Sequence, residues 1–141
     1  MKIISHRGNL TGTNSYENTK KAFLECLNLG FEVEADVWFE NGDYYLGHDT
    51  PLEKIEKSFL IDNPVWCHAK NLAALYRMLN DNIHCFWHQT DKFTLTSKNY
   101  IWTYPNNNLT EMSVIVSNSP VTEKCHGICT DFPLKMQSEL A

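Results

Sequence analysis

The segment from Phe31 to Trp38 alternates between apolar and acidic residues, and it constrains the fold more than any other part of the sequence. Such alternation predicts a β-strand whose successive side chains lie on opposite faces of a sheet. A carboxylate is costly to bury unless it binds a cation or pairs with a base. The strand therefore predicts either a solvated sheet face or a cation site. The apolar face carries Val33, Ala35 and Val37, and the acidic face carries Glu32, Glu34 and Asp36.

Histidines stand at the ends of two other predicted strands. The first predicted strand ends in His6-Arg7, and the third is followed by His48-Asp49. Imidazole titrates near neutrality, so it can act as a general base or as a general acid. Two histidines beside a pair of carboxylates are the groups that metal-assisted phosphate chemistry requires. We therefore favour a catalytic site over the structural alternatives, which are a surface His–Arg pair and a simple turn at His48.

The composition is that of a globular protein with one domain over residues 1–141. The chain has a hydrophobic content of 43% and a formal net charge of −5. The negative charge argues against nucleic acid as a partner, because no basic stripe is available to displace counterions from phosphates. No apolar run reaches the ~20 residues of a membrane span, and no apolar leader opens the sequence. We therefore expect a cytoplasmic protein.

The five cysteines are an odd number and show no paired framework, which indicates free thiols in a reducing compartment. Cys125-His126-x-x-Cys129 resembles half of a zinc site. No second pair with ligand spacing accompanies it, so buried thiols on a strand are the better interpretation.

Short strand-like runs recur along the chain, while predicted helices are confined to its first half. The helices cover residues 17–29 and 71–79. This order predicts a parallel α/β arrangement that loses helices toward its C-terminal half. The second helix has an apolar face of Leu72, Leu75, Tyr76 and Leu79. The predicted strands cover residues 2–6, 32–39, 44–47, 65–69, 84–88, 93–96, 100–104, 114–116 and 127–130.

The ordered set of motifs resembles the glycerophosphodiester phosphodiesterase family. The resemblance is close over residues 3–49 and looser over residues 65–70 and 127–133. Each motif is weak alone, but the ordered set is specific. The motifs are Ile3-Ile4-Ser5-His6-Arg7-Gly8, Glu17-Asn18-Thr19, Gly30-Phe31-Glu32-Val33-Glu34-Ala35-Asp36-Val37 and Gly47-His48-Asp49.

The resemblance implies a compact TIM-like (β/α) barrel whose site lies at the carboxyl ends of the strands. A complete eight-stranded barrel takes ~250 residues, so several outer helices would have to be shortened or missing. A partner copy could cover the exposed apolar face, which makes a homodimer an open expectation. An open α/β sheet is the alternative fold.

The resemblance also implies roles for individual residues. A divalent metal ion would be held by carboxylates of the acidic strand, two histidines would exchange protons with the substrate, and an arginine would contact the phosphate. The implied residues are Glu34 and Asp36 for the metal, His6 as general base, His48 as general acid, Arg7 for the phosphate, and Glu17 and Asn18 as supports.

The third strand of the resemblance departs from the family pattern. The family places a glutamate ligand two residues before a lysine; here Lys70 fits, but His68 stands in place of the glutamate. Imidazole ligates Mg²⁺-like ions poorly and Mn²⁺ or Zn²⁺ better. We predict His68 as a third ligand, with Mg²⁺ or Ca²⁺ as the ion and Mn²⁺ or Zn²⁺ as alternatives. Lys70, His88 and Trp102 are predicted to bind substrate, with core packing as the alternative for Trp102.

These observations together predict a metal-dependent phosphodiesterase that cleaves small glycerophosphodiester-type substrates by histidine acid–base catalysis. A phospholipase-C-like or lyase cleavage that stops at a cyclic phosphate is one alternative. A non-catalytic phosphodiester-binding domain is the other, and it is favoured by the short chain and by His68.

Overall fold

A computed structural model describes residues 1–141 as one ten-stranded sheet with four short helices. All nine predicted strands are present, while β4, α2 and α4 were not predicted. None of the helices has the length and apolar content needed to cross a membrane. The strands are β1 (Lys2–His6), β2 (Glu32–Glu40), β3 (Asp43–Leu46), β4 (Glu53–Ile55), β5 (Val65–Ala69), β6 (Cys85–Phe86), β7 (Phe93–Leu95), β8 (Ile101–Thr103), β9 (Ser113–Val116) and β10 (Gly127–Thr130). The helices are α1 (Lys20–Asn28), α2 (Lys57–Asp62), α3 (Leu72–Asn80) and α4 (Pro133–Leu140).

Seven strands form a parallel layer in the order β6-β5-β2-β1-β10-β9-β8. The strands β3 and β4 continue from the far end of β2 as an antiparallel meander, and β7 pairs antiparallel with β8. The β2–β3 hairpin turns at Asn41 and Gly42, whose φ angles of 52° and 84° suit the Asn-Gly sequence. As a result, β2 pairs with three neighbours and occupies the centre of the sheet.

The predicted TIM-like barrel of alternating β/α units is wrong. The four helices hold about 23% of the residues, and β3, β4 and β7 join the sheet through antiparallel pairs. The reason is the length of the connections. From β6 to β10 the chain runs through four successive strand connections without a helix, because these segments are short and polar. The architecture is a mixed α/β sheet.

The two faces of the sheet bury different side chains. The larger cluster lies under the helices and includes Phe23, Val33 and Met78. On the other face, Phe86 of β6 stacks on Trp102 of β8 with 4.6 Å between ring centroids. The sheet therefore curls until β6 lies beside β8, and a second cluster fills the concave side. That cluster consists of Ile4, Trp66, Phe86, Trp102, Val114 and Cys129.

Helix α1 begins at Thr19, whose hydroxyl accepts a hydrogen bond from the N–H of Ala22. It ends before Gly30, whose φ of 89° allows the chain to turn into β2. The helix is shorter than predicted because Glu17 and Asn18 lie in the preceding loop. This loop enters the region above the carboxyl ends of the strands.

Helix α3 contradicts the predicted apolar face. It buries Ala74 and Met78, and of the predicted face only Leu75 packs against the core, whereas Leu72 is 77% exposed and Tyr76 is 59% exposed. The physical reason is the position of the helix start. Asn71 caps the helix and also bonds the backbone of β2, which fixes the rotation so that the small Ala74 meets the sheet.

A pH-dependent stability follows from His84, which lies at the amino end of β6. Burial, together with Lys98 and His126, lowers the pKa of its imidazole from 6.5 to about 4. The unfolded chain therefore binds the proton first, and stability is full above pH 6.5 and falls as the pH drops toward 4. Protonation of His84 should lower the free energy of unfolding by roughly 2 kcal/mol, a value reduced because solvent screens the partly exposed ring.

The measurement is urea unfolding of the wild type and of His84→Gln at pH 7 and pH 4.5. Glutamine can keep the hydrogen bond to the Thr96 hydroxyl but does not titrate. The variant should therefore lose less stability on acidification than the wild type. Parallel losses in the two proteins would show that His84 does not titrate in this way.

Candidate functional site

The register between β1, β2 and β5 brings the predicted site residues to one end of the sheet. His6 of β1 lies opposite Glu34 of β2, and Asp36 of β2 lies opposite His68 of β5. All three strands are parallel, so these residues lie at one level of the sheet, where β1 and β5 end and β2 continues toward β3. They share the concave face with Trp66, and they lie above the second cluster.

A cavity of about 310 Å³ lies above these strand ends. It contains nine of the eleven residues predicted for the site, and the two others, Glu17 and Asn18, lie behind its wall. The structure thus brings the predicted residues together, while their roles remain predictions. The wall consists of His6, Arg7, Glu34, Asp36, His48, His68, Lys70, His88, Gln89, Trp102, Tyr104 and Val116.

A larger cavity of about 500 Å³ opens at the amino ends of the strands. Its single carboxylate is Glu32, which lies 2.8 Å from the indole nitrogen of Trp66 and 3.4 Å from the ammonium of Lys2. It contains no paired carboxylates and none of the predicted site residues. The smaller cavity is therefore the candidate site.

Glu34, Asp36 and His68 form a donor set that fits a metal ion. One carboxylate oxygen of each acid and one ring nitrogen of His68 lie within 4.8 Å of one another. His68 Nδ1 lies 3.2 Å from Asp36 Oδ1 and 4.0 Å from Glu34 Oε2. Neighbouring ligands around an ion with bonds of about 2.1 Å are separated by roughly 3.0–3.4 Å, so the shorter distance already suits a shared cation.

The second ring nitrogen of His68 holds the imidazole in place. Nε2 lies 3.1 Å from the backbone carbonyl oxygen of His88, to which it donates when it carries the proton. In that tautomer Nδ1 presents a lone pair to Asp36, and a proton or a cation is needed between them. Metal-binding histidines are typically oriented by such a hydrogen bond from the other ring nitrogen.

The charges of the two acids also fit a cation. Glu34 is 3% exposed, and its burial and the nearby Asp36 carboxylate raise the pKa of Glu34 to about 7. Although burial raises the pKa of Asp36, hydrogen bonds from His68 and Asn18 outweigh it and lower that pKa overall. A divalent ion would stabilise both carboxylates in their ionised form.

Residues of the first loop support the carboxylates from behind. The side chain of Asn18 donates to Asp36 Oδ2 at 2.9 Å and accepts from the Asp36 N–H at 3.0 Å. Arg7 lies between two acids, with Nη1 3.2 Å from Glu17 Oε1 and Nε 3.3 Å from Asp36 Oδ2. Glu17 therefore orients the guanidinium at the cavity wall, and Asn18 orients the carboxylate.

His6 has a partner that the sequence did not identify. Its Nδ1 lies 2.7 Å from Asp131 Oδ1, while its Nε2 lies 3.9 Å from Glu34 Oε1. Although burial lowers the pKa of His6, the bond to Asp131 and the charge of Glu34 raise it overall. The buried amide of Asn9 bridges Asp131 and Glu17, with both distances at 3.1 Å.

Asp131 directly follows β10, the last strand of the chain. The pairing of β10 with β1 places it beside His6, and no local pattern in the sequence shows that pairing. A carboxylate on one imidazole nitrogen fixes the tautomer and leaves the other nitrogen for proton transfer. Asp131 thus orients the imidazole of His6.

For the phosphodiester cleavage that the sequence predicts, replacement of Asp131 by asparagine should lower kcat by about 100-fold, because His6 loses the charge that favours its protonated form. KM should change by about twofold or less, since Asp131 does not line the cavity. The backbone N–H of residue 131 still donates to Asn118, so the loop keeps an anchor. Steady-state kinetics decides the matter, and an unchanged kcat would remove Asp131 from the site.

His48 lies at the rim of the cavity. Its side chain is 41% exposed, and Nδ1 lies 2.8 Å from Asp49 Oδ1. The turn before it requires Gly47, because a Cβ there would collide with the carbonyl oxygen of Thr50. Asp49, the next residue, therefore orients the histidine.

The remaining predicted residues differ in what they offer a substrate. Lys70 lines the cavity at the end of β5. Trp102 is 2% exposed and packs against Phe86 and Trp66, so it forms the floor and belongs to the core. His88 stacks on Tyr104 at 4.2 Å between ring centroids and forms one side of the cavity.

Comparisons with protein-family models, curated proteins and solved structures found no match to this chain.

Proposed function

We propose that this chain is a metal-dependent phosphodiesterase that cleaves small diesters of the glycerophosphodiester type. The observation that carries the proposal is a single cavity holding a carboxylate pair, an oriented histidine base and two cationic side chains. These groups are Glu34 and Asp36, His6, and Arg7 and Lys70. The resemblance of the ordered motifs to the glycerophosphodiester phosphodiesterase family supports the same reaction.

The charge of the cavity suits a phosphodiester. The substrate carries one negative charge that repels an attacking oxygen, and this charge grows on the phosphoryl oxygens in the transition state. Arg7 and Lys70 would donate to these oxygens through charge-assisted hydrogen bonds. Glu34, Asp36 and His68 would hold a divalent ion, which acts as a Lewis acid on the phosphate when it is bound.

The histidines supply the proton transfers. His6 Nε2 accepts the proton of the attacking hydroxyl, and Asp131 stabilises the imidazolium through Nδ1. His48 donates a proton to the departing alkoxide, and Asp49 holds its ring at the rim. The attacking hydroxyl belongs either to a neighbouring position of the substrate or to water.

The test is hydrolysis of bis(p-nitrophenyl) phosphate and of glycerophosphocholine after removal of metal with EDTA and addition of Mg²⁺, Ca²⁺, Mn²⁺ or Zn²⁺. We expect turnover only after an ion is added. Phosphorus NMR identifies the product, because an accumulating cyclic phosphate indicates the lyase-type cleavage and a monoester indicates complete hydrolysis. Absence of turnover with all of these ions and both diesters would overturn the proposal.

The replacement His68→Glu should change the metal preference. A third carboxylate is a harder ligand than imidazole, so activity with Mg²⁺ or Ca²⁺ should rise relative to activity with Mn²⁺ or Zn²⁺. We expect the ratio of kcat/KM values to change on the order of tenfold. The measurement compares both proteins at saturating concentrations of each ion, and an identical metal profile would exclude His68 as a ligand.

A further inference from the structure

Four rings line the cavity of about 500 Å³ at the amino ends of the strands, which we call the amino-end cavity. Trp66 belongs to β5, while His84, Tyr100 and His126 directly precede β6, β8 and β10. The ring centroids of Trp66 and His84 lie 4.4 Å apart, and those of Tyr100 and His126 lie 4.3 Å apart. Trp66 is buried, but the other three side chains are partly exposed, so the cavity presents an aromatic surface to solvent.

One hydrogen-bond donor in this wall has no acceptor within the protein. The Thr96 side chain is buried, and its hydroxyl oxygen accepts from the N–H of Tyr100 at 3.2 Å. The hydroxyl hydrogen therefore needs another acceptor, which is His84 Nε2 at 2.8 Å. Burial, together with Lys98 and His126, lowers the pKa of His84 to about 4, so the ring is neutral and carries its proton on Nδ1. This Nδ1–H bonds no protein atom and can donate to a ligand.

The charged groups of the amino-end cavity favour an anion. Lys2 and Lys98 supply two ammonium groups, and the single carboxylate is Glu32. Glu32 is already bonded, because it accepts from the indole nitrogen of Trp66 at 2.8 Å and lies 3.4 Å from Lys2 Nζ. Burial lowers the pKa of His126 as well, so with both histidines neutral the lining carries one net positive charge in a chain whose net charge is −5. One positive charge matches a carboxylate, whereas a phosphate monoester carries about −1.5 to −2 at neutral pH.

The rest of the lining favours an organic ligand over a hydrated ion. Leu60, Val65 and Ile83 contribute buried aliphatic side chains, and Ile61 adds a side chain that is 48% exposed. A ligand that covers such a side chain removes apolar surface from water. The volume of about 500 Å³ lies within the range of small-molecule sites. The cavity can therefore hold a flat organic ring together with one charged group.

We infer that the amino-end cavity binds a small aromatic carboxylate. The carboxylate accepts hydrogen bonds from Lys98 and from His84 Nδ1–H, and the ring packs on Tyr100 and His126. This binding site is independent of the proposed cleavage, because the two cavities have no lining residue in common. Rings that only closed the amino end of the sheet would not distinguish a carboxylate from an ammonium group, so charge selectivity is the property to measure.

The first test is a titration of the ¹⁵N-labelled wild type, followed by NMR through its amide and indole N–H signals. The probes are indole-3-acetate, tryptamine, which is a cation with the same ring, and acetate, which lacks the ring. Indole-3-acetate should shift the Trp66 indole signal and the amides of residues 82–84 and 98–100, with a Kd at least about tenfold below that of either other probe. Equal binding of tryptamine or of acetate would overturn the inference, and so would the absence of shifts at about 20 mM indole-3-acetate.

The second test locates the charge that holds the carboxylate. Lys98→Gln should raise the Kd for indole-3-acetate by about 3- to 10-fold, because it removes one of the two ammonium groups of the cavity. Lys92→Gln is the matched control, since Lys92 is also exposed, flanks β7 at its other end and lies outside the amino-end cavity. It removes the same charge from the chain and should leave the Kd within about twofold of the wild type. Equal increases of the Kd in the two variants would show a general effect of charge and overturn the inference.

Discussion

Replacing Glu34 by glutamine should reduce metal-dependent diester cleavage by at least about 100-fold, since a lost partner outside the ligand shell already costs 10- to 100-fold. Glu34 and Asp36 face one buried donor set, and the amide removes one of the two negative charges that attract the ion. The direct measurement is metal binding, followed as the rise in Tm on addition of Mn²⁺. Saturating Mn²⁺ should raise the Tm of the wild type by roughly 10 °C, and the Tm of Glu34→Gln by much less.

The metal-free proteins show whether the fold survives the replacement. Because the pKa of Glu34 is raised from 4.5 to about 7, the metal-free fold loses stability as the pH rises between these values, and the loss is complete above pH 7. At pH 8 in EDTA, Glu34→Gln should therefore unfold at a denaturant concentration no lower than the wild type. Glu32→Gln is the matched control, since Glu32 lies on the same face of β2 outside the cavity. A wild-type Mn²⁺ response in Glu34→Gln would contradict the donor set.

Replacing His6 by glutamine should lower kcat by about 10²- to 10⁴-fold, which is the contribution of a positioned general base. His6 Nε2 lies 3.9 Å from Glu34, and His6 is outside the donor set, so the metal should still bind. The expected combination is a large loss of turnover with a normal rise of Tm on addition of Mn²⁺. This combination distinguishes His6 from Glu34, where both responses should be lost.

His126→Gln serves as the control for His6→Gln. His126 precedes β10 at the opposite end of the sheet and does not line the cavity of the candidate site. Its replacement should leave kcat within about twofold of the wild type. If His6→Gln kept more than a third of the wild-type kcat, or lost the Mn²⁺ response together with activity, His6 would not be the general base.

The sequence predicted the strands well because their signal is local. Alternation between Phe31 and Trp38, and the Asn41-Gly42 pair, identify β2 and its hairpin without any knowledge of the fold. The arrangement of the strands was predicted poorly, because pairing depends on distant segments. The buried face of α3 was also missed, since it is set by Asn71 bonding to β2 and not by the spacing of its leucines.

The residues of the candidate site also fall into those that the sequence predicts and those that it does not. Residues close in sequence to a strand end, such as His6, Glu34 and Asp36, carry a pattern that the sequence shows directly. Asp131 and Asn9 have no such pattern, and their importance follows from bonds formed across the sheet.

The bond between His6 and Asp131 joins residues separated by 125 positions in the chain. During synthesis on the ribosome, β1 and β2 emerge early with every predicted metal donor except His68. His6 gains its partner Asp131 only after the last strand has emerged. The site therefore becomes complete only when β10 has left the exit tunnel and paired with β1. A nascent or truncated chain that ends before residue 127 would carry the carboxylate pair without an oriented base. The proposed activity would therefore be present only in chains whose sheet is complete.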